Sequence, residues 1–161
     1  MEKNLLLLGG AGGIGRTIAK RAVAEGWAVT VMDLEASITA HPVATGVVSI
    51  SIDLQDEGSI VKAFTGLEPL KGFVNLAGFM TGVKPLEETS IEEFDNVMGC
   101  NIRGAYLASL QALPLLRSGK GAIVNIVSGL ASNVRPGYGI YGASKAALIN
   151  LTKTLALEAA P

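Results

Sequence analysis

The stretch that decides the fold is NLLLLGGAGGIGRTIAKRAVAEG, residues 4–26. It opens with a continuous apolar run that ends at a glycine, which is typical of a strand buried on both faces. From Gly13 to Glu25 the apolar residues recur at helical spacing, and Gly26 ends that pattern. The sequence therefore predicts a strand, a glycine-rich turn and a helix in immediate succession.

The glycine-rich turn is suited to binding a phosphate. Glycines permit positive φ angles and allow the backbone to approach a ligand closely. The N-terminus of the following helix presents free N–H groups and a partial positive charge. We therefore take Gly9, Gly13, Ile14 and Gly15 as candidates for binding a dinucleotide. The alternative is that these glycines serve only the tight turn between strand and helix.

The rest of the chain repeats the alternation of strand and helix. Between the second and third strands, residues 34–46 are few and include Pro42, so we expect at most a turn or two of helix there. The alternation implies βαβ units with right-handed crossovers. The predicted fold is a single α/β domain over residues 1–161, a Rossmann-type doubly wound parallel sheet with strand order 3-2-1-4-5. The remaining strands are predicted at 27–33, 46–53, 71–78 and 121–128, and the remaining helices at 56–64, 91–116 and 139–159.

Acidic residues end two of the predicted strands. Asp33 ends the second strand, twenty residues after Gly13, where a carboxylate accepts hydrogen bonds from the ribose hydroxyls of an adenosine. The same carboxylate would repel a 2′-phosphate, so NAD is favoured over NADP. Asp53 ends the third strand and can accept a hydrogen bond from the adenine amino group. The alternatives are that Asp33 is a solvated strand-end acid and that Asp53 caps the next helix.

A tyrosine and a lysine share a face of the last predicted helix, because Tyr141 and Lys145 are four residues apart. A free tyrosine ionises only near about pH 10, but a nearby ammonium and a positively charged nicotinamide both favour the phenolate. The phenol can then exchange a proton with a carbonyl or alcohol while hydride moves to or from the nicotinamide. Ser128, at the end of the fifth strand, can hydrogen-bond the same substrate oxygen.

In their order and spacing, these residues resemble the short-chain dehydrogenase/reductase family over nearly the whole chain. The resemblance implies an NAD(P)-dependent enzyme that transfers hydride between a nicotinamide cofactor and an alcohol or carbonyl substrate. One departure is Leu8, where the family usually has threonine before the first glycine. The matching elements are the glycine motif at 9–15, Asp53-Leu54, Asn75-Leu-Ala-Gly78, Asn101, Ser128 and Tyr141-x-x-x-Lys145.

The resemblance also implies roles for individual residues. Tyr141 would be the general acid and base, and Lys145 would bind the nicotinamide ribose while favouring the Tyr141 phenolate. Ser128 would polarise the substrate oxygen, and Asn101 would hold a water in a proton relay to Lys145. On the adenosine side, the implied cofactor-binding residues are Asp53, Leu54, Asn75, Ala77 and Gly78, of which the last three would also steady the centre of the sheet.

Family members continue past the tyrosine–lysine helix with further strands and a substrate lid, so we interpret this sequence as a member without the C-terminal third. The fifth strand, 121–128, would then be an open, apolar edge without lysine or proline to protect it. Such enzymes pair two long helices across a dimer axis, here those from about Asn101 and from about Gly139, so we expect a homodimer or a larger homo-oligomer. The alternative to an enzyme is a truncated, non-catalytic module that binds dinucleotide or only associates with itself.

Composition excludes several other classes of protein. Thirteen basic and fourteen acidic side chains give a net charge of −1, which does not suggest a nucleic-acid surface. No apolar run approaches the roughly 20 residues that a membrane span needs. The single Cys100 excludes an internal disulfide and fits a reducing compartment, and the single His41, without a His/Cys cluster, predicts no metal site. The sequence therefore predicts a cytoplasmic protein that acts on a small molecule.

Overall fold

The computed structural model describes residues 3–160, and within that range the chain forms one parallel five-stranded sheet. The order of the strands, numbered along the chain, is 3-2-1-4-5, as predicted, and each neighbouring pair is parallel. The predicted fold class and strand order are thus confirmed. The strands are β1 (Asn4–Leu8), β2 (Ala28–Asp33), β3 (Val47–Ser51), β4 (Gly72–Asn75) and β5 (Ala122–Asn125).

The helices connect the strands as predicted. The long stretch after β4 is continuous, but its middle, Gly99–Gly104, is a π-helical turn bounded by the two glycines. A Cβ at Gly104 would lie 2.6 Å from both the Cβ and the carbonyl oxygen of Leu54, so a glycine is needed for this close approach. The α-helices are α1 (Gly13–Ala24), α2 (Glu35–Ala40), α3 (Glu57–Phe64), α4 (Ile91–Met98), α5 (Ala105–Gly119) and α6 (Gly139–Glu158).

The apolar core has two parts, one on each face of the sheet. Leu6, Leu8 and Phe73 pack on the face covered by α3 and α5. Leu7 and Val31 pack on the opposite face, covered by α1. Successive side chains of a strand point to opposite faces, so the unbroken leucine run of β1 serves both parts of the core, as its sequence predicted.

The turns that follow the strands lie side by side at the carboxyl edge of the sheet. Backbone bonds extend the pairing beyond the strands: Gly9 N donates to Met32 O at 2.7 Å, and Leu76 N donates to Leu8 O at 2.8 Å. Among the described residues β5 pairs with β4 alone, which agrees with the predicted open edge. No helix within residues 3–160 is long and apolar enough to cross a membrane.

Candidate functional site

The glycine loop is shaped by close backbone contacts at two of its members. Gly9 has φ +74°, and a Cβ there would lie 2.7 Å from the backbone nitrogen of Ala77. A Cβ at Gly15 would collide with the backbone of Gly10, whereas one at Gly13 would meet nothing within 4 Å. The loop therefore packs against the turn after β4 because Gly9 has no side chain, and α1 begins close to Gly10 because Gly15 has none.

The N-terminus of α1 is available to an anion. Its N-cap residue is Gly12, and within the described chain no side chain caps this end of the helix. The first turn of α1 also contains no acidic residue that would compete with an anionic ligand. Uncapped N–H groups and the helix dipole both favour a phosphate at such a position.

The Asp33 carboxylate is fixed by two backbone donors. Its Oδ2 accepts a hydrogen bond from Ala11 N at 3.0 Å, and its Oδ1 accepts one from Leu34 N at 2.9 Å. Asp33 is therefore more than a solvated acid at the end of a strand, because its side chain holds the glycine loop. Each oxygen retains a lone pair for a further donor.

A cavity of about 560 Å³ lies at this edge of the sheet, within the size range of small-molecule sites. Four segments form most of its wall: the glycine loop, the end of β2 with α2, residues 52–55 and residues 76–79. Ser37, His41 and Cys100 are also on this wall, and no pattern in the sequence predicted them there. The predicted cofactor-binding residues on the wall are Gly9, Asp33, Asp53, Leu54, Ala77 and Gly78. Those that are not among its lining residues are Gly13, Ile14, Gly15, Asn75, Tyr141 and Lys145.

A larger cavity, about 930 Å³, lies beside the open edge of β5, between the C-terminal parts of α5 and α6. Its wall is mainly apolar, and none of the predicted catalytic or cofactor-binding residues lines it. The chemistry of the walls therefore assigns the candidate site to the smaller cavity, despite its lower volume.

Asp53 lies on the wall of the 560 Å³ cavity and does not cap a helix. Its Oδ1 accepts a hydrogen bond from Gln55 N at 2.9 Å. The N-cap of α3 is Asp56, whose Oδ1 accepts from Gly58 N at 2.8 Å. The alternative interpretation of Asp53 as a helix cap is therefore wrong, and its carboxylate is exposed at the cavity.

Asn75 supports the sheet from within. It is buried at the end of β4, where its Oδ1 accepts from Ala77 N at 3.1 Å and its Nδ2 donates to Asn125 Oδ1 at 3.0 Å. Asn125 in turn donates to the Thr152 hydroxyl at 3.0 Å. Asn75 therefore connects β4, β5 and α6. It also holds the turn at Ala77, which forms part of the cavity wall.

Lys145 reaches the carboxyl ends of β4 and β5. It is 2% exposed, and its Nζ donates to Ile126 O at 3.2 Å and to Ala77 O at 3.4 Å. The same nitrogen lies 5.8 Å from the centre of the Tyr141 ring, so the structure brings the predicted pair together. Burial lowers the pKa of the Lys145 ammonium below its usual value. Gly78 leaves space for this side chain, since a Cβ there would lie 3.0 Å from Nζ.

Ser128 and Tyr141 do not line the 560 Å³ cavity. Ser128 comes three residues after β5, and its Oγ accepts from Leu130 N at 3.2 Å, which leaves its O–H as a donor. Tyr141, in the first turn of α6, lines a small pocket together with Met80 and Lys84.

The oxygen and both N–H groups of the Asn101 side-chain amide each form a hydrogen bond within the protein. Its Oδ1 accepts from Phe79 N at 2.7 Å, and its Nδ2 donates to Phe79 O and to Ser144 Oγ, each at 2.9 Å. Both Asn101 N–H groups are used, so a relay water, as the resemblance implied, could bind the Asn101 side chain only by donating to the remaining lone pair of Oδ1. Neither Phe79 nor Ser144 was predicted from the sequence as a partner of Asn101. The one available signal was the position of Ser144 directly before Lys145.

Comparison with known proteins gives consistent matches over almost the whole chain. A family model described as short chain dehydrogenase matches residues 3–161. The 2-(R)-hydroxypropyl-CoM dehydrogenase of Xanthobacter autotrophicus is 34% identical over 98% of this chain and 69% of the relative. The 2-dehydro-3-deoxy-L-rhamnonate dehydrogenase (NAD(+)) of a Sphingomonas species is 32% identical over 96% of this chain and 65% of the relative.

Solved structures agree with the sequence relatives. A short-chain dehydrogenase/reductase from Serratia marcescens has a TM-score of 0.85 at 32% identity, covering 99% of this chain and 69% of that one. Serine dehydrogenase from Escherichia coli, at 22% identity, shares the fold with a TM-score of 0.87 over 96% of this chain and 76% of its own. The chain thus spans about two thirds of the length of its curated relatives. Its sequence motifs, sheet order and relatives agree, and the chain belongs to the short-chain dehydrogenase/reductase family.

Proposed function

We propose that the protein is an NAD(P)-dependent oxidoreductase that transfers hydride between a nicotinamide cofactor and an alcohol or carbonyl group of a small molecule. The observation that carries this proposal is the position of Tyr141 and Lys145. They lie together at the sheet edge that also holds the glycine loop and Asp33. The relatives, named as dehydrogenases, support the same class of reaction.

The described residues fit a dinucleotide. The uncapped N-terminus of α1 suits the pyrophosphate, and the fixed Asp33 carboxylate offers acceptors to ribose hydroxyls. Because a negative carboxylate disfavours a 2′-phosphate, we propose NAD as the preferred cofactor. One relative is named as an NAD(+) enzyme, whereas ElxO, 28% identical, was solved with NADP bound. When bound, the cofactor supplies or accepts the hydride.

The catalytic groups provide the proton transfer that accompanies hydride movement. In the reduction of a carbonyl, the Tyr141 phenol gives its proton to the carbonyl oxygen, and in the reverse direction it takes a proton from the alcohol. The Lys145 ammonium, 5.8 Å from the ring, stabilises the phenolate. Two of its three N–H groups go to the carbonyls of Ile126 and Ala77, and the third remains for a ribose hydroxyl. The Ser128 hydroxyl donates to the same substrate oxygen.

We also propose that the protein forms a homodimer through α4 and α5. Ile91 and Phe94 are 76% and 43% exposed, and Tyr106 and Leu110 are 43% and 40% exposed. Within each pair the residues are three or four positions apart, so both pairs extend along a helix face. An apolar surface of this kind is more typical of an interface than of a monomer. The sequence predicted pairing of the helices from about Asn101 and from about Gly139, so the proposed surface includes the first of these, as α5, but not the second, α6.

One observation favours a second candidate function, a module that binds dinucleotide without turnover. Tyr141 lines the small pocket beside Met80, whereas the 560 Å³ cavity is lined by Ala77, Gly78 and Phe79. In such a module the fold of the cavity would persist, and the phenol would stay too far from the bound nicotinamide to exchange a proton with a substrate beside it.

The test of the two functions compares wild type, Tyr141→Phe and Tyr106→Phe. NADH-dependent reduction is measured on a panel of ketones and aldehydes, and NADH affinity is measured by fluorescence. If the protein is an oxidoreductase, we expect turnover by wild type and a turnover about a hundredfold or more lower in Tyr141→Phe. Tyr141→Phe should retain its affinity for NADH, and Tyr106→Phe should turn over like wild type. NADH binding without Tyr141-dependent turnover would support the module, and no NADH binding would refute both.

A further inference from the structure

Two consecutive residues of α6, Ser144 and Lys145, hold the turn that follows β4. Lys145 does so directly, because its Nζ donates to Ala77 O at 3.4 Å. Ser144 does so through Asn101, whose Nδ2 donates to Ser144 Oγ at 2.9 Å. The Asn101 amide also forms two hydrogen bonds with the backbone of Phe79, at 2.7 and 2.9 Å. The turn is thus attached to α6 at two points.

This turn is part of the wall of the 560 Å³ cavity, which Ala77, Gly78 and Phe79 all line. Ser144 itself is fully buried, so it lies out of reach of a ligand in the cavity. Its hydroxyl proton is donated to Tyr141 O at 2.8 Å. A single serine hydroxyl therefore links Asn101 to the helical turn that carries Tyr141.

We propose that Ser144 is a positioning residue that, through Asn101, fixes the 77–79 wall of the cavity and thereby sets the affinity for the dinucleotide. The inference rests on the proposed function for the identity of the ligand, whereas the positioning is a property of the unliganded protein. Without the hydroxyl, one N–H of Asn101 would be buried without its partner. An unpaired buried donor is unfavourable enough to favour rearrangement of the groups around it. In the described residues every buried side-chain polar atom has a partner.

The test is a double-mutant cycle with Ser144→Ala, Asn101→Ala and the double variant. If Ser144 acts through Asn101, the effects of the two substitutions on the free energy of NADH binding are not additive. We expect Ser144→Ala to weaken NADH binding about tenfold and the double variant to bind no worse than Asn101→Ala. If Asn101→Ala does not fold, Asn101→Asp replaces it, since this variant keeps an acceptor for Phe79 N and loses both donors.

The matched control is Ser109→Ala in α5. Ser109 is equally buried, and its hydroxyl donates within its own helix, to Ala105 O at 2.7 Å. Both alanine variants should lower the melting temperature by a few degrees, roughly as expected for the loss of one hydrogen bond. Ser109 does not line the cavity, so Ser109→Ala should leave NADH affinity within about twofold. Unchanged NADH affinity in Ser144→Ala would overturn the proposal. So would a double variant whose loss of binding free energy equals the sum of the losses in the two single variants.

Amide hydrogen exchange at Phe79 provides a readout that needs no ligand. Phe79 N donates to Asn101 Oδ1, so its exchange should become about tenfold faster in Ser144→Ala and stay unchanged in Ser109→Ala. If wild type does not bind NADH, the proposed function fails while this comparison still decides the positioning role. Equal exchange at Phe79 in wild type and Ser144→Ala would overturn that role.

Discussion

The Asp33 carboxylate accepts a hydrogen bond from the backbone N–H of Ala11 at 3.0 Å. The residue that ends β2 therefore fixes the loop that follows β1, twenty-two positions away. The acid expected to select the cofactor and the loop expected to bind its phosphates are thus one structural unit. A substitution at Asp33 should affect both the selection of the cofactor and the order of the loop.

The first prediction concerns cofactor selection by Asp33. Asp33→Asn keeps an oxygen that can accept from Ala11 N but removes the charge that opposes a 2′-phosphate. We expect the ratio of NADPH to NADH affinity to rise about tenfold, equivalent to about 1.4 kcal/mol. Fluorescence titration with both cofactors measures this ratio. Asp95→Asn, on the exposed side of α4, is the control, and an equal change in the two variants would argue against a role for Asp33.

The second prediction separates two glycines of the loop. A side chain at Gly15 would meet the backbone of Gly10, which cannot move aside easily, whereas Gly13 has nothing within 4 Å of its Cβ position. We expect Gly15→Ala to lower the free energy of unfolding by about 2 kcal/mol through overpacking. Gly13→Ala should stay within about 1 kcal/mol of wild type. Urea denaturation tests both, and similar losses in the two variants would contradict the contacts described at Gly15.

The third prediction concerns the dependence of stability on pH. Burial lowers the pKa of Lys145 in the folded protein below its ordinary value of 10.5. Between the folded and unfolded pKa values the unfolded chain binds more protons, so Lys145 makes the free energy of unfolding rise with pH in that window. Lys145→Met should flatten this rise as the pH approaches 10.5 from below.

Lys153→Met is the control for this effect, because Lys153 is exposed on the same helix. Urea denaturation is repeated at several pH values for the two variants and wild type. If the stability of Lys145→Met followed the same pH profile as wild type and Lys153→Met, the ammonium of Lys145 would not be buried as described.

The fourth prediction concerns association through α4 and α5. A charge placed on their exposed apolar face should oppose the burial of that face against a second copy. We expect wild type to sediment as a dimer or larger species at tens of micromolar, and Leu110→Glu to shift it towards monomer. Val61→Glu, which adds the same charge to α3, should leave the assembly intact. A wild-type protein that sediments as a monomer would refute the proposed interface.

The parts of the molecule that could be predicted from sequence are those encoded by neighbouring residues. The leucine run of β1 and the glycines after it predict a buried strand and a turn, and alternation of strands with helices then predicts the sheet order. The proximity of Tyr141 to Lys145 follows from helical spacing. Each of these patterns lies within one or two adjacent elements.

The environment of Asn101 could not be predicted, because its partners Phe79 and Ser144 are 22 and 43 positions away. Hydrogen bonds between such distant residues leave no periodic pattern in the sequence. The helix cap at Asp56 was also ambiguous, since Asp53 precedes the same helix by three more residues. The structure resolves that ambiguity, because Gly58 N donates its hydrogen bond to the side chain of Asp56.

The central claim is that the cavity between the glycine loop, Asp33 and the turn after β4 binds a nicotinamide dinucleotide. Titration of the protein with NADH, followed by the fluorescence of the reduced nicotinamide, tests this claim most directly. The proposal predicts saturable binding with a Kd between about 1 μM and 1 mM, the range in which enzymes commonly bind their substrates. No saturable change in fluorescence up to about 1 mM NADH would contradict it.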